Sequence, residues 1–402
     1  MERKTYVIHF DEICLKLGNR SFFEDVLASN IKAMFKKMGG GRMKVFRDRI
    51  LIDFPADFDV AEIEARLGRI SGICDFSPIQ LVPATMEAMK ECALQQAEGF
   101  KGSFRITANR SDKNFPFTSP ELGRIIGEAV FEKYNLPVDL KNPDHVIRVQ
   151  VHRDDAYVYG RKIEGMGGLP VGSSAKLISL LSGGIDSPVA SFKMFSRGCT
   201  VVLLHFHNYH DDGSDVREKV LGLAKILSEY QPLTKLYMVP FLDLQQALIS
   251  YIPSEMRMVA YRRMMFRVAA CVRRREKARG YITGDSVGQV ASQTMENLSA
   301  IHAVADAPIL SPLIGDCKKA IIALARKIGT YEQSILPYSD CCSYLVDRHP
   351  DTAIRESEIQ GLEESIPMDE LINRVLPTTE LYRLSYGELI EKKQPFKRAV
   401  EG

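Results

Sequence analysis

Two rhythms of apolar and polar residues divide this chain. In the first, TYVIHF reads as a strand, NRSFFEDVLASNIKAMFKKM as an amphipathic helix, and KVFRDRILIDF, after a GGG turn, as two more strands. DVAEIEARLGRI then reads as a helix and ICDFSPIQLV as a strand, an order that predicts a small α/β sandwich rather than a doubly wound sheet. The rhythm continues with a helix (TMEAMKECALQQAEG), a strand (GSFRITANR), a helix (SPELGRIIGEAVFEKY) and paired strands in HVIRVQVHRDDAYVYGRKI.

The segment IEGMGGLPVGSSA concentrates Gly, Pro and Ser, as a linker or binding loop does, and a domain boundary is placed there. Beyond it short apolar strands alternate with helices: KLISLL and SPVASFKMFSRG, TVVLLHFH and VREKVLGLAKILSEY, LYMVPF and a long basic helix, GYITGD and a helix, PILSPL and KKAIIALARKIG. That pattern predicts an open parallel sheet with crossover helices, whose ligands sit outside the carboxyl ends of the strands.

The gross composition narrows the class. A chain of 402 residues exceeds what one core usually supports, so two or three domains are expected. No apolar run approaches the ~20 residues of a membrane span, and the charged N-terminus does not read as an export signal, so a cytoplasmic protein without a membrane partner is expected. The eight cysteines are dispersed and contain no C-x-x-C, which argues against zinc-finger, thioredoxin-like and clustered iron–sulfur readings. The exception is the adjacent pair Cys341 and Cys342.

Net charge is only +2, so a nucleic-acid partner must be argued from clusters. One runs from Arg257 to Arg279 through Arg262, Arg263, Arg267, Arg273, Arg274, Arg275 and Lys277, against the single acid Glu276. Another groups Lys101, Arg105, Arg110 and Lys113 with Phe104, Phe115 and Phe117. A solvated helix face explains such clusters equally well.

The chemistry concentrates in LLSGGIDSPVA. Its turn joins a strand to a helix, so backbone N–H groups and the helix N-terminus converge on an anion. Gly183 and Gly184 clear the approach, and Ser182 and Ser187 supply hydroxyls. Asp186 would repel a phosphate unless Mg²⁺ or a leaving group makes it useful. The string differs from G-x-x-x-x-G-K-[ST], and S-G-G alone is a common turn.

The whole string resembles the pyrophosphate-binding loop of the ATP pyrophosphatase (PP-loop) superfamily, whose members adenylate an oxygen before a nucleophile displaces AMP. LLSGGIDSPVA, LLHFHN, YRRMMFRVA, TGDSVGQVASQT, PILSPLIG, KIGTYEQSI and DCC together resemble, in order and spacing, the ThiI family of tRNA uridine 4-sulfurtransferases. GFKGSFRITANRSDKNFPFTSPELGRIIGEAV resembles that family's THUMP domain. The resemblance implies a ferredoxin-like domain over 1–56, a THUMP RNA-binding domain over 57–164 and a PP-loop catalytic domain over 165–402.

It also implies an ATP site of Leu180, Leu181, Ser182, Gly183, Gly184, Asp186, Ser187, His205, Phe206, Arg262, Gly284 and Gln293, with Mg²⁺ near Asp186. Lys318 matches a lysine suited to charge on the phosphates. Cys342 is implied as the persulfide carrier, with Cys341 or another cysteine breaking the persulfide bond. Lys101, Arg105, Arg110, Lys113 and Arg161 are expected on tRNA phosphates. The implied product is 4-thiouridine at tRNA position eight.

Longer members continue into a rhodanese domain, whereas this chain ends 60 residues after Cys342. A cysteine desulfurase loading Cys342 directly, or a separate carrier, is therefore expected as sulfur donor. Sulfur supply to a carrier protein for thiamin thiazole synthesis, and a homodimer, are further implications. Two alternatives stay open: a PP-loop tRNA-modifying enzyme using an amine or an iron–sulfur-bound sulfur, and a THUMP tRNA-binding protein without catalysis.

Overall fold

The computed structural model describes residues 3–16, 18–208, 214–337, 341 and 344–396. They form two compact units, Met1–Gly168 and Leu169–Gly402.

The first unit runs β1 (Lys4–His9), α1 (Arg20–Phe35), β2 (Arg42–Val45), β3 (Arg49–Phe54), α2 (Val60–Leu67), β4 (Asp75–Pro83), α3 (Met86–Ala97), β5 (Phe104–Arg110), α4 (Ser119–Tyr134), β6 (His145–His152), β7 (Asp155–Tyr159) and β8 (Ile163–Glu164). One sheet holds all these strands, in the order β2-β3-β1-β4-β7-β6-β5 with β8 beside β4. The helices start where the sequence supplies caps. Asp59 accepts from the N–H groups of Ala61 and Glu62 at α2, and Thr118 and Glu121 form a reciprocal capping box at α4.

The division placed after residue 56 falls between β3 and α2. The strand β1 pairs antiparallel with both β3 and β4, so β4 shares the sheet of the first strands. β8 pairs with β4, and the Gly165 and Gly167 N–H groups donate to the Cys74 and Ile73 carbonyls. A Cβ on Gly165 would stand 2.2 Å from the Ile73 oxygen, so only glycine lets this strap lie so close.

The second unit runs β9 (Lys176–Leu180), α5 (Asp186–Phe195), β10 (Thr200–His207), α6 (Ser214–Leu227), β11 (Thr234–Pro240), α7 (Leu242–Ile249), α8 (Arg257–Glu276), β12 (Tyr281–Ile282), α9 (Met295–His302), β13 (Ile309–Leu310), α10 (Lys318–Lys327), α11 (Tyr331–Ser334), α12 (Glu356–Glu363), α13 (Met368–Val375), β14 (Glu380–Ser385) and β15 (Glu388–Lys393). Its sheet has the order β13-β12-β9-β10-β11-β14-β15. The strands β9 to β13 are parallel as expected, but β14 and β15 add an antiparallel hairpin beside β11. No helix of the described residues is long and apolar enough to cross a membrane.

The arginine-rich α8 is a core helix, with Tyr261, Met264, Phe266, Val268 and Val272 fully buried. Its cations are largely neutralised inside the unit. Arg263 and Arg267 both fork onto the buried Glu363, and Arg273 and Arg274 reach Asp306. Arg275 stacks 5.1 Å over the Phe396 ring. The cluster is thus chiefly structural, and the helix's own sequence does not reveal it, because the acids fold against it from 32 to 100 residues away.

Candidate active site

The loop after β9 lies at the carboxyl edge of the parallel strands. The Ser182 N–H donates to Ser187 Oγ at 2.8 Å, the two hydroxyls lie 3.0 Å apart, and the Gly184 N–H donates to Ser182 Oγ at 3.2 Å. The serine hydroxyls expected to face a ligand therefore also brace the turn. Helix α5 begins at Asp186, where the helix dipole favours its carboxylate.

Asp186 is gripped from two sides. Lys318, the first residue of α10, places Nζ 2.6 Å from Oδ1, and Gln289 donates to Oδ2 at 2.9 Å. A separate ion pair, Lys193 with Asp316, ties α5 to the segment leading into α10.

Gly284 follows β12. A Cβ there would lie 2.8 Å from the Ser187 nitrogen and 3.0 Å from the Asp186 carbonyl carbon. Gly284 thus lets the loop itself approach closely and lie against the end of β12.

Next in sequence, Asp285 is 4% exposed and accepts from Arg262 Nη2 on both carboxylate oxygens at 2.8 Å. Burial would raise the Asp285 carboxyl, but the Arg262 charge and bonds from His302, Arg262 and Thr283 outweigh it and hold it well below the usual range. Gln293 donates to Asp285 at 3.2 Å, while its buried Oε1 has no partner. A buried, unpaired acceptor beside a cavity suits a ligand donor.

These groups share a cavity of about 480 Å³. Of the residues carried over for ATP, Leu180, Leu181, Ser182, Gly184, Asp186, Ser187, His205, Phe206, Arg262, Gly284 and Gln293 line it, and Gly183 sits within the same turn. Cys341 lines it too, 4% exposed, with its carbonyl receiving the Gln245 amide at 2.6 Å. Cys342 lies outside the described residues. The chain on its far side is held by Tyr261 and Arg257, which donate to the carbonyls of Tyr344 and Leu345 at 3.1 and 2.7 Å.

Sequence reasoning passed over Asp285 and Gln289, although both stand in the quoted TGDSVGQVASQT. An acid after a strand and a loop glutamine carry no local mark, and only their partners, Arg262 and Asp186, show what they do.

Lys101 and Lys113 are exposed, but Arg105 donates to the Leu140 carbonyl, Arg110 to the carbonyls of Lys113 and Phe115, and Arg161 pairs with Glu64.

Among the described residues no cluster of three or more metal-ligating side chains occurs. Mg²⁺ needs less, because it is commonly held by one or two carboxylates together with substrate phosphates and water. Asp186, at the first position of α5, is a carboxylate that fits that requirement.

Comparison with known proteins covers both units. The family described as thiamine biosynthesis protein (ThiI) matches residues 172–368, the THUMP domain 83–160, and the ThiI ferredoxin-like domain 5–77. A probable tRNA sulfurtransferase of Moorella thermoacetica is 37% identical over 379 residues, covering 94% of this chain and 97% of the relative. One from Staphylococcus aureus is 37% identical over 403 residues, covering 100% and 99%. Among solved structures, a 4-thiouridine synthetase in complex with RNA and bound ATP superposes with a TM-score of 0.87 at 31% identity, covering 97% of this chain and 100% of that one.

Proposed function

This chain belongs to the ThiI family, and from that premise we propose that it is a tRNA uracil 4-sulfurtransferase, converting a tRNA uridine, position eight, to 4-thiouridine at the expense of ATP. The observation that carries the reading is that the SGGIDS loop, the Arg262–Asp285 pair and Cys341 border one cavity.

ATP lies over the turn from Ser182 to Ser187, its adenosine toward the end of β10 at His205 and Phe206. Mg²⁺ held by Asp186 and the phosphates would supply charge neutralisation. Lys318 exchanges its carboxylate partner for the phosphates and stabilises the charge that grows as pyrophosphate departs. Uracil O4 bonds to the α-phosphorus and pyrophosphate leaves, which converts a poor leaving group into AMP.

The outer sulfur of a persulfide on Cys342, loaded by a cysteine desulfurase, then attacks C4, and AMP departs with the former O4. A second thiolate attacks Cys342 Sγ, breaks the sulfur–sulfur bond and leaves sulfur on the base. Cys341 is the nearest candidate in sequence, and the resulting disulfide returns to thiols with an external thiol reductant.

The test measures tRNA-dependent pyrophosphate release and 4-thiouridine absorbance in the near ultraviolet. Cys342→Ser should release pyrophosphate without thiolating, and Asp186→Ala should do neither. Full thiolation by Cys342→Ser would remove the carrier assignment, and undiminished pyrophosphate release by Asp186→Ala would remove the reading of the loop.

A further inference from the structure

A lysine on α6 occupies a costly position. Lys219 is 3% exposed, and its ammonium donates to the carbonyls of Ser334 at 2.9 Å and Leu336 at 2.6 Å. Burial pushes the pKa of that ammonium down, so a cation is kept where an apolar side chain would cost less. The two carbonyls lie at the end of α11, where a helix leaves acceptors without partners of its own. The grip is reciprocal. Gln333 donates to the Lys219 carbonyl at 3.1 Å, and a Cβ on Gly222, one turn along α6, would stand 2.4 Å from the donating Gln333 nitrogen.

Cys341 belongs to the other face of the sheet. On β9, Ser179 faces α5, its hydroxyl 2.7 Å from that of Ser191, while its neighbour Ile178 packs in the core that also holds Cys341 and the buried residues of α7 and α8. Successive strand residues point to opposite faces, so α5 and α8 cover different sides. Helix α6 packs beside α5 and against α11. The Lys219 anchor is therefore on the α5 side and Cys341 on the α8 side.

A second buried side chain holds the chain there. Gln245 of α7 is fully buried, and its Nε2 donates to the Cys341 carbonyl at 2.6 Å. Five residue steps join Leu336 to Cys341, a reach of at most ~17 Å, so the two anchors constrain each other. Cys341 lines the cavity of the SGGIDS loop, whereas Lys219 and Gln245 do not.

We propose that Lys219 and Gln245 are positioning residues for sulfur transfer, which clamp the segment bearing Cys341 from the two faces of the sheet and hold that cysteine at the cavity. Adenylation does not depend on the clamp, because neither side chain borders the nucleotide. The clamp acts once pyrophosphate has left, when sulfur must reach C4 within a short distance of the segment. The proposal rests on the reading of Cys341 and Cys342 as the thiols that handle sulfur.

The experiment follows tRNA-dependent pyrophosphate release and 4-thiouridine absorbance in the full-length protein, with persulfide supplied by a cysteine desulfurase and cysteine. The variants are Lys219→Met, Lys219→Gln and Gln245→Leu. Lys219→Met and Gln245→Leu should each slow 4-thiouridine formation at least tenfold, while pyrophosphate release and the KM for ATP stay within about twofold of wild type. Lys219→Gln keeps a donor without the charge and should lose less than Lys219→Met; if the methionine variant does not fold, the glutamine variant carries the same comparison. Thiolation within about twofold of wild type in the folded Lys219 variants overturns the proposal. Parallel loss of pyrophosphate release and thiolation overturns it too, since that is general damage rather than positioning. Full thiolation by Cys342→Ser would instead remove the carrier reading on which the clamp rests, so the two failures are told apart.

Discussion

Lys318 Nζ lies 2.6 Å from Asp186 Oδ1, joining the first residues of two helices that are 132 positions apart. The carboxylate suits the positive end of α5, but the ammonium sits unfavourably at the positive end of α10. The lysine is therefore held by its partner rather than by its own helix, and an arriving phosphate can take that partner's place.

Lys318→Ala should slow tRNA-dependent pyrophosphate release by about 10²-fold, the scale of losing one preorganised donor to developing charge. Because the pair is partly exposed, its loss should change stability by no more than about 1 kcal/mol. A variant with full activity would show that the lysine only partners Asp186.

Gly284→Ala puts a methyl group 2.8 Å from the Ser187 nitrogen, so the loop must move away from β12. The expected result is an ATP KM raised at least tenfold, with tRNA affinity unchanged. Equal ATP KM values for the two proteins would mean that the turn yields without cost.

Asp285 has its carboxyl lowered in the folded state, so the sign of its pH effect is determined. It adds stability fully above its unfolded value, about 3.9, and loses that contribution as pH falls toward the lower folded value. Asp285→Asn should thus narrow the stability difference from wild type below about pH 4. Arg262→Leu leaves the acid buried and unpaired, and should cost about 3–5 kcal/mol at neutral pH in denaturant unfolding.

Glu363→Gln tests whether the arginines of α8 are structural. It leaves Arg263, 2% exposed, and Arg267 without their shared anion. A loss of about 3–5 kcal/mol is expected from calorimetry or denaturant titration of the full chain. A loss below about 1 kcal/mol would show that the guanidinium groups find water or other acceptors.

The parts legible in the sequence were the local ones. SGGIDS could be placed between a strand and a helix because the strand, the tight turn and the helix start are contiguous. For the same reason the parallel strands β9 to β13 and their crossover helices followed from alternating apolar runs, and the residues at the strand ends, Leu180, His205 and Gly284, could be assigned to one side of the sheet.

Partnerships across long separations were decided by the tertiary structure. No local pattern joins β4 to β1, adds the β14–β15 hairpin beside β11, or sets Glu363 between Arg263 and Arg267. Asp285 gained a role only when Arg262 folded against it, and the arginines of α8 ceased to be a surface patch when their acids arrived. An isolated charged residue has the same sequence signal whether it ends in solvent or in a buried pair. Its energy depends on what else is desolvated beside it, and only packing supplies that neighbour.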